Sequence, residues 1–438
     1  MTERKRIAIL TQGCKVNQYE SEAIAQALQE GGYITSLTAD GDADAFIVNT
    51  CTVTAESDRK AKQLIRRLHA KDPTAPILVT GCFAQSHPDE AAAIKGVDHV
   101  CGNEKKLDTV AAVKQLLADG KPAVPVISVG DVNTAPFEPM CIKRFDRTRA
   151  YVKIEDGCEN RCSYCAIPAA RGRVRSKGAD DVVREVRGLV ENGCREVVLT
   201  GIETASWGRD LDRADLAELL ERVDAIEGIG RIRLGSLDPS LMRPAFVERI
   251  ARLSHLAPHF HLSVQSGSSH VLAAMRRKYN RDMALAGVER LRAAFPCLEL
   301  TADFIVGFPG ESEQDFADTL DLVRRAEFLQ IHVFAYSRRA GTVAADLPDQ
   351  IPEAVKRERS AALIAAGRES RRHRLQRALE HPLQTVLFES FEHGMAKGHT
   401  DSFLEVSAPT QVPLHGALLP VRLTGLESDM LLAEIRRS

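Results

Sequence analysis

Three cysteines crowd into eight residues of the stretch Asp156-Gly157-Cys158-Glu159-Asn160-Arg161-Cys162-Ser163-Tyr164-Cys165, with the spacing C-x3-C-x2-C. A loop of that length can wrap one face of a cubane iron–sulfur cluster and deliver a thiolate to each of three irons. A 4Fe–4S cluster closed by protein alone needs four thiolates, yet the next cysteine is Cys194. One iron would lack a protein thiolate, and an open coordination position is where a metal does chemistry rather than structure. The competing reading is a structural zinc loop, which requires a fourth ligand from far along the chain. Ten cysteines in 438 residues are too few for a disulfide scaffold, and their clustering points to metal in a reducing compartment.

A chain this long exceeds one ordinary core, so two or three domains are expected. Its 44% hydrophobic and 27% charged residues describe a soluble globular protein. A formal charge of −2 exerts no global pull on nucleic acid, so any RNA contact must come from local patches. Near the N-terminus the apolar run at 7–10 reads as a buried strand, not a signal peptide. No stretch approaches bilayer length. The expectation is a cytoplasmic protein with no membrane partner.

Over the first 140 residues, apolar strand-length runs alternate with helix-period segments, the pattern of a parallel sheet with helices on its faces. Three runs end alike: 7–10 leads into Gly13-Cys14, 46–48 into Asn49-Thr50-Cys51, and 77–79 into Gly81-Cys82. The carboxyl ends of parallel strands share one edge, where ligands bind, so Cys14, Cys51 and Cys82 are expected to converge. Two other readings stand beside a second cluster. The three are buried thiols, or they form a zinc site with Cys101 as fourth ligand. The segment from about 120 to 147 is rich in proline and valine and reads as an interdomain linker.

Six strand candidates follow, at 151–154, 196–201, 232–237, 260–265, 302–308 and 331–337, with helical patterns such as 180–191, 241–253 and 281–295 between them. Regular β–α alternation predicts right-handed crossovers and a parallel barrel, and six units rather than eight imply an open, partial one. The cluster loop follows the first strand and therefore sits at the C-terminal rim. That rim also carries Gly201, Glu203, Ser236, Gln265 and Ile305, although small polar residues end barrel strands for turn reasons alone. His259 and His261 read as packed or solvated side chains. Arg276, Arg277 and Lys278 offer phosphate contacts or a solvated charge run. A helix is expected over 356–377, ending in Arg368, Arg371, Arg372, Arg374 and Arg377, an anion-binding patch in a nearly neutral protein. Short strands at 385–389, 403–406, 418–423 and 431–435 predict a five-stranded barrel, with Phe388, Phe391 and Phe403 as its aromatics for base stacking. A β appendage that only packs on the larger barrel is the alternative.

The cluster loop, with the aromatic Tyr164 before its last cysteine, resembles that of the radical S-adenosylmethionine (SAM) enzymes. The segments Thr11-Gln12-Gly13-Cys14-Lys15-Val16-Asn17-Gln18-Tyr19-Glu20-Ser21-Glu22, Asn49-Thr50-Cys51-Thr52-Val53-Thr54 and Thr80-Gly81-Cys82-Phe83-Ala84-Gln85 resemble the N-terminal motifs of one branch, the methylthiotransferases. So do His261-Leu262-Ser263-Val264-Gln265-Ser266-Gly267-Ser268, Met275-Arg276-Arg277-Lys278-Tyr279 and Phe334-Ala335-Tyr336-Ser337-Arg338-Arg339-Ala340-Gly341-Thr342. The resemblance implies an α/β fold in three parts. These are an N-terminal open parallel α/β sheet domain (1–140), a central partial (β/α)6 radical SAM barrel (141–372) and a small C-terminal TRAM-like β-barrel (373–438). It implies two 4Fe–4S clusters, one on Cys158, Cys162 and Cys165 and an auxiliary one on Cys14, Cys51 and Cys82, with Cys101 structural. SAM would be held through Tyr164, Gly201, Glu203, Ser236, Gln265 and Ile305, with Glu203 accepting from its ammonium. At Ile202-Glu203-Thr204-Ala205-Ser206 relatives often carry a different polar pair.

The motif around Cys14 is most similar to the branch acting on N6-threonylcarbamoyladenosine beside the tRNA anticodon. This implies SAM cleavage to a 5′-deoxyadenosyl radical, hydrogen abstraction at adenine C2, insertion of sulfur from the auxiliary cluster, and methylation by a second SAM. A base in a tRNA loop is already unpaired, so presenting it to an open barrel costs little unstacking. The implied partners are tRNA, a sulfur donor and a flavodoxin- or ferredoxin-like electron donor. Branches acting on isopentenyl-adenosine or on a ribosomal-protein aspartate are the alternatives, and a zinc-stabilised RNA-binding protein is the non-catalytic one.

Overall fold

The computed structural model describes residues 4–39, 41–145, 147–212 and 214–436; the first three residues of the N-terminal segment lie outside them. The first unit is a parallel sheet of β1 (Arg6–Thr11), β2 (Ile34–Ser36), β3 (Ala45–Thr50), β4 (Ile77–Gly81), β5 (Val97–Cys101) and β6 (Val126–Ser128), in the order β2-β1-β3-β4-β5-β6. Successive side chains on a strand point to opposite faces. Accordingly Ala8, Leu10, Phe46, Val48, Ile77 and Val79 fill one core, and Ile7, Ile9, Ala45, Ile47 and Leu78 fill another. Strands buried on both faces read as continuous apolar runs, which is why they stand out in the sequence. The expected linker is not wholly irregular, since β6 within it pairs with β5 as the sixth strand. Three exposed residues gave that strand no periodic signal.

The middle unit contains β7 (Ala150–Lys153), β8 (Glu155–Asp156), β9 (Arg175–Ser176), β10 (Glu196–Thr200), β11 (Arg231–Leu234), β12 (Ser236–Leu237), β13 (His259–Gln265), β14 (Glu299–Val306) and β15 (Gln330–Ala335). Two parallel sheets, β11-β10-β7 and β12-β13-β14-β15, make an open barrel. The third expected strand, 232–237, is broken at Gly235. A Cβ there would lie 3.0 Å from Thr200 Oγ1 and 3.2 Å from Thr204 Oγ1, so the break falls where there is little room for a side chain. The helix expected over 241–253 is shorter, Pro244–Ile250, because a 3-10 turn at Pro239–Leu241 precedes it. The antiparallel pair β8–β9 brackets the cluster loop and had no sequence signal at two residues per strand.

The 26-residue helix Glu353–Ala378 leads into a closed barrel of β16 (Leu383–Glu392), β17 (Met395–Thr400), β18 (Glu405–Pro409), β19 (Leu418–Glu427) and β20 (Met430–Ile435). The sequence supplied four of these strands and missed β17. The segment expected at 403–406 is in fact a left-handed turn at Phe403 followed by β18. The arginine patch is also partly dismantled. Arg374 is buried in a bidentate pair with Glu299, and Arg374 and Arg377 both reach Glu327. Phe388 is wholly buried in the barrel core and presents no face to a base, whereas Phe391 packs against that core and is half-buried. No helix among the described residues is long and apolar enough to cross a membrane.

Candidate functional site

Adjacent strands β1, β3 and β4 deliver Cys14, Cys51 and Cys82 to one edge, with Thr11 in register with Asn49 and Thr50 with Gly81. Glycine is required where these ends crowd. Gly81 has φ 99°, and a Cβ on it would stand 2.2 Å from the Thr50 carbonyl; a Cβ on Gly13 would stand 3.1 Å from Cys51 Cβ. Two asparagines lock the loops together. Asn17 Nδ2 donates to Asn49 Oδ1 (3.0 Å), and Asn49 Nδ2 donates to the Asn17 carbonyl (3.0 Å) and Ser21 Oγ (3.1 Å).

Burial pushes the Cys51 thiol up to about 12, and the sulfurs of Cys82 and Cys14 push the same way. Cys14 is raised too, by its surroundings first, although its outer face opens to solvent. Thiols held this high stay protonated at neutral pH unless a metal supplies positive charge, the condition under which cysteine becomes a ligand. Cys101, by contrast, packs in an apolar core with Ile9, Leu78 and Val113.

Arg171 joins this edge to the second group of cysteines. It is fully buried, its Nε lies 3.2 Å from Cys82 Sγ, and its guanidinium pairs with Glu20 and reaches Asp156 at 3.4 Å. Lys153 bridges Glu20 (2.9 Å) and Asp156 (2.6 Å), Lys106 stands 3.5 Å from Glu20, and Arg175 3.5 Å from Asp156. Four cations thus face two carboxylates. Buried surplus charge is unfavourable unless matched, and the thiolates of a cluster on Cys14, Cys51 and Cys82 would match it. The donor set fits iron–sulfur binding.

Arg171 closes the five-residue helix Ile167–Arg171 that begins just beyond Cys165. The loop before it is shaped by Gly157, at φ 86°, where a Cβ would fall 1.9 Å from the Arg173 carbonyl. Cys158 N donates to the Gly172 carbonyl (3.0 Å), Cys165 N to the Cys162 carbonyl (3.1 Å) and Ser163 N to the Met275 carbonyl (3.1 Å). Arg277 is not a phosphate contact. It is buried, its Nη1 lies 3.2 Å from Cys162 Sγ, and its Nη2 donates to Asp238 (2.8 Å). Each cysteine group therefore has one buried arginine aimed at a sulfur, a charge-assisted donor suited to thiolate.

Glu203 lies beside this loop, where Asn160 Nδ2 donates to its Oε2 at 3.0 Å. Burial first, and Asp238 next, push its carboxyl up to about 7, and its Oε1 has no partner among the described residues. Asn160, Glu203 and Asp238 line one cavity of about 400 Å³. Gly201 and Ser236 line another of about 590 Å³ together with Cys14, Lys15, His259 and Phe403. Tyr164 and Ile305 pack instead in an apolar cluster with Met275 and Phe308, and Gln265 ends β13 in the left-handed region at φ 64°.

The larger cavity draws on all three units. Phe403 comes from the C-terminal barrel, its ring stacked on His259 (4.7 Å) and His399 (4.5 Å), with the Arg233 guanidinium 4.9 Å away. His259 is packed, as expected. His261 is not a lone side chain: with Asp303 and His332 it forms a group whose donor atoms lie within 4.8 Å of one another. Sequence reasoning missed Glu20, Arg171 and the sulfur contact of Arg277. The one local signal was a basic residue six positions after Cys165.

Comparison with known proteins accords with this geometry. Residues 152–323 match the model of the "Radical SAM superfamily", and residues 6–102 that of "Uncharacterized protein family UPF0004". The chain is 37% identical to the threonylcarbamoyladenosine tRNA methylthiotransferase MtaB of Bacillus subtilis, covering 95% of this chain and 93% of that one. It is 42% identical to the protein of the same name from Thermotoga maritima, covering 81% and 80%. It is also 36% identical to the tRNA-2-methylthio-N(6)-dimethylallyladenosine synthase of Moorella thermoacetica, covering 99% and 98%. Among solved structures, the radical SAM methyltransferase TsrM from Kitasatospora setae aligns with a TM-score of 0.57 at 15% identity, covering 78% of this chain and 74% of that one. At that identity the likeness speaks for the fold alone.

Proposed function

The chain belongs to the radical SAM tRNA methylthiotransferases, and from that premise we propose that it adds a methylthio group to C2 of N6-threonylcarbamoyladenosine at position 37 of tRNA, next to the anticodon. The observation that carries this reading is the pair of three-cysteine groups, each with a buried arginine at a sulfur, joined through Arg171. When bound, SAM and two 4Fe–4S clusters supply the radical, the sulfur and the methyl group. The chain's own residues then have separable tasks. Cys158, Cys162 and Cys165 hold one cluster, and Cys14, Cys51 and Cys82 the other.

Glu203, with its unpartnered oxygen, accepts from the SAM ammonium. Gly201 and Ser236 border the cavity shared with Cys14, Tyr164 and Ile305 back the cluster loop through the apolar cluster, and Gln265 closes the fourth rim position. The walls of the larger cavity exclude water from the reacting carbon. The C-terminal barrel is TRAM-like and contacts the RNA. A sulfur donor and a flavodoxin- or ferredoxin-like electron donor complete the set of partners, and the enzyme works in the cytoplasm.

The test is mass spectrometry of tRNA nucleosides from a strain lacking the gene, with and without complementation. Loss of 2-methylthio-N6-threonylcarbamoyladenosine, restored by the gene, is the expected result. An unchanged signal, with loss of the dimethylallyl (isopentenyl) counterpart instead, would assign the chain to the activity named for its Moorella relative.

A further inference from the structure

Lys15 opens the helix Lys15–Glu30 directly after Cys14, and no acidic residue stands in that helix's first turn. Its side chain lines the cavity of about 590 Å³ beside Arg149, Arg233, His261 and His332. The lining of that cavity includes no aspartate or glutamate. Asp303, outside the lining, is engaged by His261 Nε2 at 3.0 Å.

The two arginines are already committed. Arg233 bonds Glu196 (2.8 Å) and the carbonyls of Asp401 and Thr400 (3.0 Å each), and Arg149 stands 3.0 Å from Glu196 and is paired with Glu389. The Lys15 ammonium makes no hydrogen bond or ion pair among the described residues. A cavity of ligand size, with an ammonium that has no hydrogen-bond partner at a helix N-terminus and no carboxylate in its lining, suits a carboxylate from outside.

The threonylcarbamoyl group ends in a free carboxylate, and a dimethylallyl group has none. We infer that Lys15 is the specificity-determining residue that reads the carboxylate of the threonylcarbamoyl side chain, lodged in the cavity shared by Cys14 and Phe403. This rests on the substrate proposed above.

The experiment uses anaerobically reconstituted holoenzyme and three anticodon stem-loop RNAs. These carry threonylcarbamoyladenosine, its threonyl methyl ester, or dimethylallyladenosine. Binding is read by fluorescence anisotropy, and kcat and KM by nucleoside analysis. A charge-assisted contact gives wild type about a 10- to 100-fold preference in Kd for the acid over the ester. Lys15→Met should reduce that ratio to about 1 by weakening the acid only, with iron content unchanged, and Lys15→Arg should restore most of it. The ester comparison on wild type needs no variant and so does not depend on how a substitution beside Cys14 folds.

Equal wild-type affinity for acid and ester overturns the inference, as does a Lys15→Met protein that keeps the wild-type ratio while wild type turns over the threonylcarbamoyl RNA. A wild type that turns over only the dimethylallyl RNA overturns the substrate reading, and the inference with it.

Discussion

Replacing Glu196 by glutamine should loosen the C-terminal barrel from the rest of the molecule. Glu196 is fully buried at the start of β10. Its Oε1 takes Arg233 Nε at 2.8 Å and stands 3.0 Å from Arg149 Nε, and its Oε2 takes Arg231 Nη1 at 2.7 Å. Those arginines then grip the C-terminal barrel, Arg231 through Asp401, Arg149 through Glu389 and Arg233 through the Thr400 and Asp401 carbonyls. Burial alone would raise the carboxyl, but Arg233, Arg149 and Arg231 outweigh it and hold it at about 2, against an ordinary 4.5.

At about 1.4 kcal/mol per tenfold change in acidity, this corresponds to roughly 3 kcal/mol of stability at neutral pH. That lies at the lower end of what opening a buried ion pair costs. Because the folded carboxyl is depressed, the contribution is present in full above pH 4.5 and disappears as pH falls from 4.5 toward 2. A three-unit chain has no single melting temperature, so hydrogen exchange over residues 399–404 is the better assay. Glu196→Gln should speed exchange there about 100-fold at pH 7 while leaving β1, β3 and β4 unchanged. Wild-type exchange rates in the variant would refute the reasoning.

Three further outcomes follow from the site. Gly157→Ala places a methyl 1.9 Å from the Arg173 carbonyl in a left-handed conformation, so the loop must open; iron analysis should show about half the metal lost. Glu203→Gln should weaken SAM binding about tenfold or more. Wild-type affinity should also rise with pH through about 7, as the raised carboxyl ionises, whereas the variant's stays flat in equilibrium dialysis. Arg171→Met leaves Glu20 with Lys153 and Lys106 only and should speed hydrogen exchange over residues 167–175 about 100-fold, while depleting iron from the group containing Cys82 first.

What was legible in the sequence was what depends on local pattern. Cys14, Cys51 and Cys82 follow apolar runs, and strands of one parallel sheet end at one edge, so their meeting could be deduced without coordinates. The loop from Cys158 to Cys165 carries its own spacing. The rest depends on contacts that leave no period. Arg171 lies 89 residues from Cys82 and 151 from Glu20, and Arg277 lies 115 from Cys162. In sequence Arg277 reads as a phosphate contact or part of a solvated charge run, and nothing local beyond its distance from Cys165 singles out Arg171. β6 and β17 escaped for another reason. β6 has only three residues, Val126-Ile127-Ser128, too few for a period to show, and β17 alternates small and polar residues, Met395-Ala396-Lys397-Gly398-His399-Thr400, so burial wrote little hydrophobic signal into it. Phe403, expected on an RNA-binding face, reaches the central cavity because a left-handed turn swings it out of the barrel.

Iron content across three anaerobically reconstituted proteins tests the central claim most directly. The wild type should hold about eight irons per chain. The chain with Cys14, Cys51 and Cys82 all changed to alanine should hold about four and still release 5′-deoxyadenosine from SAM. The chain with Cys158, Cys162 and Cys165 changed should hold about four and release none. Zinc in place of iron in the wild type, or a full complement of iron after either triple change, would contradict the account.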